Sequence, residues 1–143
     1  MKNSRPLVEF TEPISMGERD WGEELLIALS PGKYTLKKLF IKAGKKGGLQ
    51  YHRKKDESGY LVSGKMIIRF DNGFGDLEEK IIKAGDSFRF PPNCIHQEEA
   101  ITDCIIIEAS TSHYNDRVRV ESKYGLVEEP GLITTNEEDI GIM

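Results

Sequence analysis

The chain has 143 residues, which is the length of one ordinary domain with a single buried core. Charged residues make up 31% and apolar residues 38% of it, and 20 Lys and Arg against 24 Asp and Glu give a net charge of -4. This polar composition, without a long apolar run, excludes a membrane-spanning, collagenous, coiled-coil or disordered chain.

The first segment, residues 1–22, is predicted to be an irregular arm that ends at Trp21-Gly22. Its first ten residues contain no apolar stretch of the kind found in secretory signals. The two cysteines, Cys94 and Cys104, cannot make a disulfide framework. We therefore expect the protein to reside in a reducing cytoplasm and to have no membrane partner.

Short β-type segments follow one another through the next hundred residues. The hydrophobic pattern predicts strands at 25–29, 34–41, 60–62, 65–70, 77–83, 87–90, 103–109 and 117–120. Turn residues such as Ser63-Gly64 and the 71–76 loop separate them. The run Ile105-Ile106-Ile107 predicts a strand that is buried on both faces. Short strands at regular spacing, without a long amphipathic helix, predict an all-β domain of two sheets.

Charge is distributed unevenly along the chain. Residues 33–55 contain nine basic residues and no acidic one, whereas residues 126–143 contain five acidic residues and no basic one. The first segment is either a solvated face or a site for an anion such as a phosphorylated small molecule. We expect no nucleic acid partner, because Asp56 and Glu57 end the basic run and the net charge is negative. We therefore predict a central domain at 23–125 and an acidic tail at 126–143.

Two segments place histidines in a chemically suggestive context. In the first, Gln50 and His52 are two residues apart, so on one strand they would face the same side. Glu57 follows them after a short basic loop, and His96 ends the second segment, which begins at Gly85. Imidazole and carboxylate groups together suit divalent Zn, Mn, Fe, Ni or Co.

These segments resemble the two sequence motifs of the cupin superfamily. The motifs are G-x5-H-x-H-x3,4-E-x6-G and G-x5-P-x-G-x2-H-x3-N, and the matching residues are His52, Glu57, Gly64, Gly85, Pro91 and His96. Trp21-Gly22 and the segment 116–125 are similar to the mannose-6-phosphate isomerase branch of the cupins. That branch includes the isomerase domain of mannose-1-phosphate guanylyltransferases. The resemblance covers residues 13–125.

The resemblance implies a double-stranded β-helix, or jelly-roll barrel, with a divalent transition metal inside it. The ligands would be His52, Glu57 and His96. Lys54 replaces the second histidine of the first motif, so one ligand is lost. Gln50 resembles the metal-binding glutamine of zinc-dependent phosphomannose isomerases and would complete the set. Alternatively, the metal is weak or absent and the pocket works through acid–base groups alone.

The resemblance also implies a sugar isomerase or epimerase of carbohydrate biosynthesis, with a phosphorylated or nucleotide-linked sugar as substrate. Such a reaction moves a proton next to a carbonyl group, and Glu57, Lys54 and Glu98 are the candidates for this transfer. The candidates for binding the anionic sugar are Lys54, Tyr60, Arg69 and Arg89, although the sequence does not show which way they face. The alternative is a non-catalytic cupin that binds a sugar or small polar ligand as a sensor or accessory protein.

A homodimer is also expected. Cupins often dimerise by pairing sheets or exchanging N-terminal arms. In this chain Leu7, Val8 and Phe10 lie in an otherwise polar arm, so a second copy could bury them.

Overall fold

A computed structural model describes residues 4–143, and residues 1–3 of the predicted arm lie outside this range. Two single-turn 3-10 helices lie at Glu121–Tyr124 and Glu137–Asp139, and no helix within the described range is long and apolar enough to cross a membrane. The strands within this range are β1 (Ile14–Arg19), β2 (Gly22–Ser30), β3 (Tyr34–Ile41), β4 (Gln50–Tyr51), β5 (Glu57–Ser63), β6 (Lys65–Asp71), β7 (Leu77–Lys83), β8 (Ser87–Phe90), β9 (His96–Ala100), β10 (Cys104–Ser110), β11 (His113–Tyr114), β12 (Val118–Arg119) and β13 (Gly141–Ile142).

The strands form two antiparallel sheets that pack face to face. One has the order β1-β2-β3-β10-β5-β8 and the other the order β12-β4-β9-β6-β7, while β11 and β13 form a separate pair. Strand β10 lies between β3 and β5, so neighbours in the sheet are distant in the sequence. This arrangement is a jelly-roll β-sandwich and confirms the predicted all-β fold.

Two predicted features of the strands are wrong. The arm is not irregular throughout, because β1 pairs with β2 from Ile14 to Arg19. The run in β10 is not buried on both faces: Ile106 is fully buried, but Ile105 and Ile107 are half-buried. The opposite sheet covers the inner face of β10, which carries Ile106, and leaves its outer face partly open to solvent.

The sandwich has an apolar end and a polar end. The apolar core consists of Ile41, Leu61, Met66, Ile68, Ile82, Phe90, Ala100, Cys104 and Ile106. Towards the other end, the inner face of the six-stranded sheet carries Lys37, Glu57 and Glu108, which line a cavity of about 360 Å³. Because inward positions alternate along a strand, these polar side chains stand in line with the core residues.

The predicted acidic tail packs back onto the barrel. We call residues 129–143 the C-terminal strap; its Pro130, Leu132 and Met143 line the cavity. Arg119 donates hydrogen bonds to the backbone oxygens of Glu129 (2.6 Å) and Leu132 (2.9 Å). The strap is therefore part of the cavity wall.

Candidate active site

Three predicted metal ligands converge inside the cavity. His52 follows β4, Glu57 begins β5 and His96 begins β9. The Nε2 atoms of both histidines lie 3.4 Å from one oxygen, Oε1 of Glu57. The three donor atoms lie within 4.8 Å of one another, and all three residues are buried. We call them the triad.

Hydrogen bonds on the far side of each ring orient the two histidines. His52 Nδ1 donates to the backbone oxygen of Asp116, and His96 Nδ1 donates to the backbone oxygen of Cys94 at 2.9 Å. The His96 ring also stacks on Phe90, with centroids 3.9 Å apart. Because Nδ1 of each histidine makes a hydrogen bond to the backbone, Nε2 of each faces the triad. Metal-binding histidines are usually oriented in this way.

Within the triad, Glu57 and His96 shift each other's pKa. Burial alone would raise the pKa of Glu57, but the Lys55 ammonium and the hydrogen bonds from both histidines hold this pKa well below its usual value. Burial opposes protonation of His96, yet its bonds to Cys94 and Glu57 outweigh this and raise its pKa to about 10. The hydrogen bonds within the triad therefore favour a protonated His96 beside an ionised Glu57.

Lys55 and Glu108 extend the triad. Lys55 Nζ lies 3.2 Å from Oε2 of Glu57 and 3.6 Å from Oε1 of Glu108. Burial and the neighbouring Glu57 raise the pKa of Glu108 well above its usual value. Lys55 therefore occupies the second oxygen of Glu57 and leaves the first for the two histidines.

Glu98 supplies a further carboxyl group. It lies two residues after His96 on β9 and lines the same cavity. Its Oε2 atom is buried and has no hydrogen-bond partner within residues 4–143. Burial, together with repulsion from Glu57, raises the pKa of Glu98 to about 7. Such a carboxyl group can both accept and release a proton near neutral pH.

Asp116 fixes the loop between His52 and Glu57. Its carboxylate accepts hydrogen bonds from the backbone N–H groups of Arg53 (3.0 Å), Lys54 (2.7 Å) and Lys55 (2.8 Å). This loop conformation places Lys55 at the cavity and leaves Lys54 exposed. Asp116 therefore positions both His52, through its backbone oxygen, and Lys55, through its side chain.

The residues present fit a divalent transition metal. Two imidazole nitrogens and one carboxylate oxygen converge, both imidazoles are oriented from behind, and three protein ligands leave a position open for substrate. Gln50 also lines the cavity and lies directly opposite His96 in the β4–β9 pairing. Side chains directly opposite each other in an antiparallel pair share one face, so Gln50 lies on the same face as His96.

The predicted substrate-binding residues lie outside the cavity. Lys54 is exposed, and Tyr60 is 48% exposed on the outer face of β5. Arg89 pairs with Asp56 at the surface at 2.8 Å. Arg69 is held on the outer face of the second sheet, 2.7 Å from Glu79 and 2.9 Å from Glu99. The structure therefore does not bring these residues to the triad, because each lies on an outward strand position or an exposed loop.

Sequence reasoning missed Lys55 and Glu108. Glu108 could have been found, because Cys104, Ile106 and Glu108 share one face of β10 by simple alternation. Lys55 carried no comparable signal: the choice between Lys54 and Lys55 depends on the hydrogen bonds from Asp116, which is about sixty residues away in the sequence.

Comparison with known proteins identifies the family. A family model described as "Cupin domain" matches residues 39–110, which is half of the chain and includes the whole triad. The chain therefore belongs to the cupin family. The sequence matches none of the curated proteins.

Solved structures share this fold at low sequence identity. The capsular polysaccharide assembling protein CapF from Staphylococcus aureus is 21% identical, with a TM-score of 0.67 over 78% of this chain and 32% of CapF. KdgF from Halomonas sp. is 18% identical, with a TM-score of 0.59 over 68% of this chain and 84% of KdgF. An RmlC-like cupin from Shewanella frigidimarina is 21% identical, with a TM-score of 0.57 over 77% of this chain and 91% of that one. The chain spans about a third of the length of CapF.

Proposed function

We propose that this cupin is a metal-dependent isomerase or epimerase that acts on a phosphorylated or nucleotide-linked sugar in carbohydrate biosynthesis. The observation that carries the proposal is the buried His52–Glu57–His96 triad, with Glu98 in the same cavity, where its buried Oε2 atom has no hydrogen-bond partner within residues 4–143. The resemblance of residues 13–125 to the mannose-6-phosphate isomerase branch supports the choice of substrate. The description of CapF as a capsular polysaccharide assembling protein is compatible with it.

The reaction requires a proton to leave a carbon next to a carbonyl group and to return. A metal held by His52, Glu57 and His96, with Gln50 as a fourth ligand, would polarise that carbonyl oxygen. Glu98 is the group we assign to the proton transfer, because it lines the cavity beside the triad and its buried Oε2 atom has no hydrogen-bond partner within residues 4–143. Such a positioned base typically contributes about 10²–10⁴-fold to the rate. Glu57, whose charge is stabilised by both histidines, serves as a ligand.

The first test is the metal content of untagged protein purified without chelator, measured by mass spectrometry. We expect about one equivalent of a transition metal per chain and its loss in His96→Ala. His113→Ala is the matched control, because His113 also lines the cavity but is outside the triad. The metalloenzyme proposal fails if no metal binds after reconstitution with Zn²⁺, Mn²⁺, Fe²⁺, Ni²⁺ or Co²⁺.

The second test separates catalysis from binding. Sugar phosphates incubated with the metal-loaded protein in D₂O should acquire deuterium next to the carbonyl carbon, and Glu98→Gln should abolish the exchange. The alternative function is a non-catalytic cupin that binds a sugar or small polar ligand, which is favoured by Lys54 at the position of a motif histidine. That alternative predicts ligand binding that survives chelation, without deuterium exchange.

We also propose that the protein is a cytoplasmic homodimer. The two free cysteines support the compartment. The dimer is supported by the apolar side chains of the arm, since Leu7 is 85% and Phe10 is 92% exposed. Sedimentation velocity at micromolar concentration should give twice the chain mass, and a monomer there would contradict the dimer.

A further inference from the structure

A second group of charged residues lines the cavity outside the triad. Arg19 from β1 and Lys37 from β3 share one carboxylate, Glu24 of β2, at 3.3 Å and 2.9 Å. Arg117, from the segment between β11 and β12, lines the same cavity. Three cations therefore line the cavity, and the two that contact a carboxylate share a single one, so the three cations outnumber Glu24 in this group.

Arg117 is poorly neutralised by the protein. Its guanidinium group has no carboxylate within ion-pair distance anywhere in residues 4–143. It makes a long hydrogen bond of 3.4 Å to the backbone oxygen of Ile133. Burial, together with repulsion from Arg119 and Arg19, lowers the pKa of Arg117, and the attraction of Asp116 and Glu24 only partly opposes this. A half-buried cation held close to other cations is costly unless an anion joins them.

Arg119, two residues after Arg117, differs from it because its guanidinium group pairs with carboxylates within the protein. It contacts the carboxylate of buried Glu121 and lies 3.7 Å from Glu128. It also donates to two backbone oxygens of the strap. The donors of Arg119 are thus used within the protein, whereas those of Arg117 remain largely available to a ligand.

We propose that Arg117, with Arg19 and Lys37, forms a phosphate-binding subsite that anchors the phosphate monoester of the substrate, an inference that rests on the function proposed above. A guanidinium group binds two oxygens of a phosphate at once, and the flanking cations would neutralise the dianion. The cavity of about 360 Å³ lies near the lower end of the roughly 300–1,000 Å³ typical of ligand sites. The small volume of the cavity therefore favours a single phosphorylated sugar over a nucleotide-linked one.

Inorganic phosphate is the probe that tests the subsite directly. It would be titrated into metal-free protein and followed by ¹⁵N-edited NMR, with acetate in a parallel titration. We expect saturable phosphate binding that Arg117→Gln weakens at least about tenfold and Arg117→Lys partly retains. Arg89→Gln is the matched control, since Arg89 pairs with Asp56 at the surface, and it should bind phosphate like the original protein.

Several outcomes would overturn the subsite. These are unchanged phosphate binding in Arg117→Gln, no saturable binding in the original protein, or acetate binding as tightly as phosphate at Arg117. Thermal unfolding of each variant shows whether the fold is intact. If Arg117→Gln does not fold, Arg117→Lys and Arg19→Gln decide, because the proposal requires Arg19→Gln to weaken phosphate binding as well.

Metal content, measured on the same variants before the metal is removed for the phosphate titration, separates this proposal from the proposed function. Arg117→Gln should retain the metal, because Arg117 is outside the triad. If the original protein binds phosphate through Arg117 but no metal, the metalloenzyme proposal fails and the subsite stands. If the original protein binds metal but Arg117→Gln binds phosphate as tightly as the original protein does, only the subsite proposal fails.

Discussion

The two ends of the sandwich are built by the same strands but have opposite chemistry. Along β10, Cys104 and Ile106 lie in the apolar core, and Glu108 lies in the cavity two positions later. Along β5, Leu61 belongs to the core and Glu57 to the triad. Strand geometry decides which side chains point inward, whereas the residue types along that inner face decide whether the space becomes a core or a site.

The two ends also contribute differently to stability. Burial at the apolar end stabilises the fold by about 25 cal/mol per Å² of apolar surface. At the polar end, burial works against the charged groups, as the raised pKa values of Glu98 and Glu108 show. The apolar end therefore stabilises a fold whose other end buries charged groups at a cost in free energy.

The largest expected effect is at the apolar end. Leu61→Ala leaves a cavity beside Met66 and Ile106 and should lower the free energy of unfolding by about 2–5 kcal/mol, measured by urea denaturation. The folded variant should still bind one metal. Val62→Ala, on the outward and exposed position next to it, is the control and should cost well under half as much. Equal losses in both variants would contradict the division into two ends.

A smaller loss of stability is expected from Lys55→Met at the polar end. Glu57 and Glu108 would lose the cation that they share, while His96 would remain beside Glu57. We expect metal-free protein to lose about 2–3 kcal/mol, less than the roughly 3–5 kcal/mol of a fully uncompensated buried charge. Added Zn²⁺ should recover part of this loss. Lys54→Met, at the exposed neighbour, should leave the free energy of unfolding nearly unchanged. A comparable loss in Lys54→Met would contradict the role of Lys55 as the cation of the buried carboxylates.

The smallest change in stability is expected from Asp116→Asn. The amide keeps one acceptor oxygen but cannot replace both carboxylate oxygens that hold the 53–55 loop, so stability should fall by about 1–2 kcal/mol. Metal affinity should fall about 10–100-fold, because the support behind His52 loosens. Competition with a chromogenic chelator measures this affinity. Asp86→Asn, which affects an exposed turn, should leave it unchanged.

The sequence predicted some parts of the molecule well for physical reasons. The bounds of β3, β7 and β8 agree with the hydrophobic pattern, and turn residues separate these strands. Strand β9 was not predicted, because its inner face carries His96 and Glu98 and so shows no apolar alternation. A strand that serves a polar cavity loses the pattern by which strands are recognised.

The candidate site was predictable only where local spacing carried the information. The triad follows from motif spacing, but the inward placement of Lys55 depends on Asp116, and the cations Arg19, Lys37 and Arg117 come from three separate segments. For the predicted substrate-binding residues Tyr60, Arg69 and Arg89, the sequence supplies only the residue type on a predicted strand. Their outward orientation is set by strand register, which a single sequence does not reveal across loops.

The C-terminal strap is held largely through its main chain. Arg119 binds the backbone oxygens of Glu129 and Leu132, and Arg53 donates to that of Thr135 at 2.7 Å. Every amino acid carries such an oxygen. Apart from side chains with contacts of their own, such as Glu129 with Lys46 and Thr134 with Arg119, the strap can therefore change its side chains during evolution while its backbone keeps the same path.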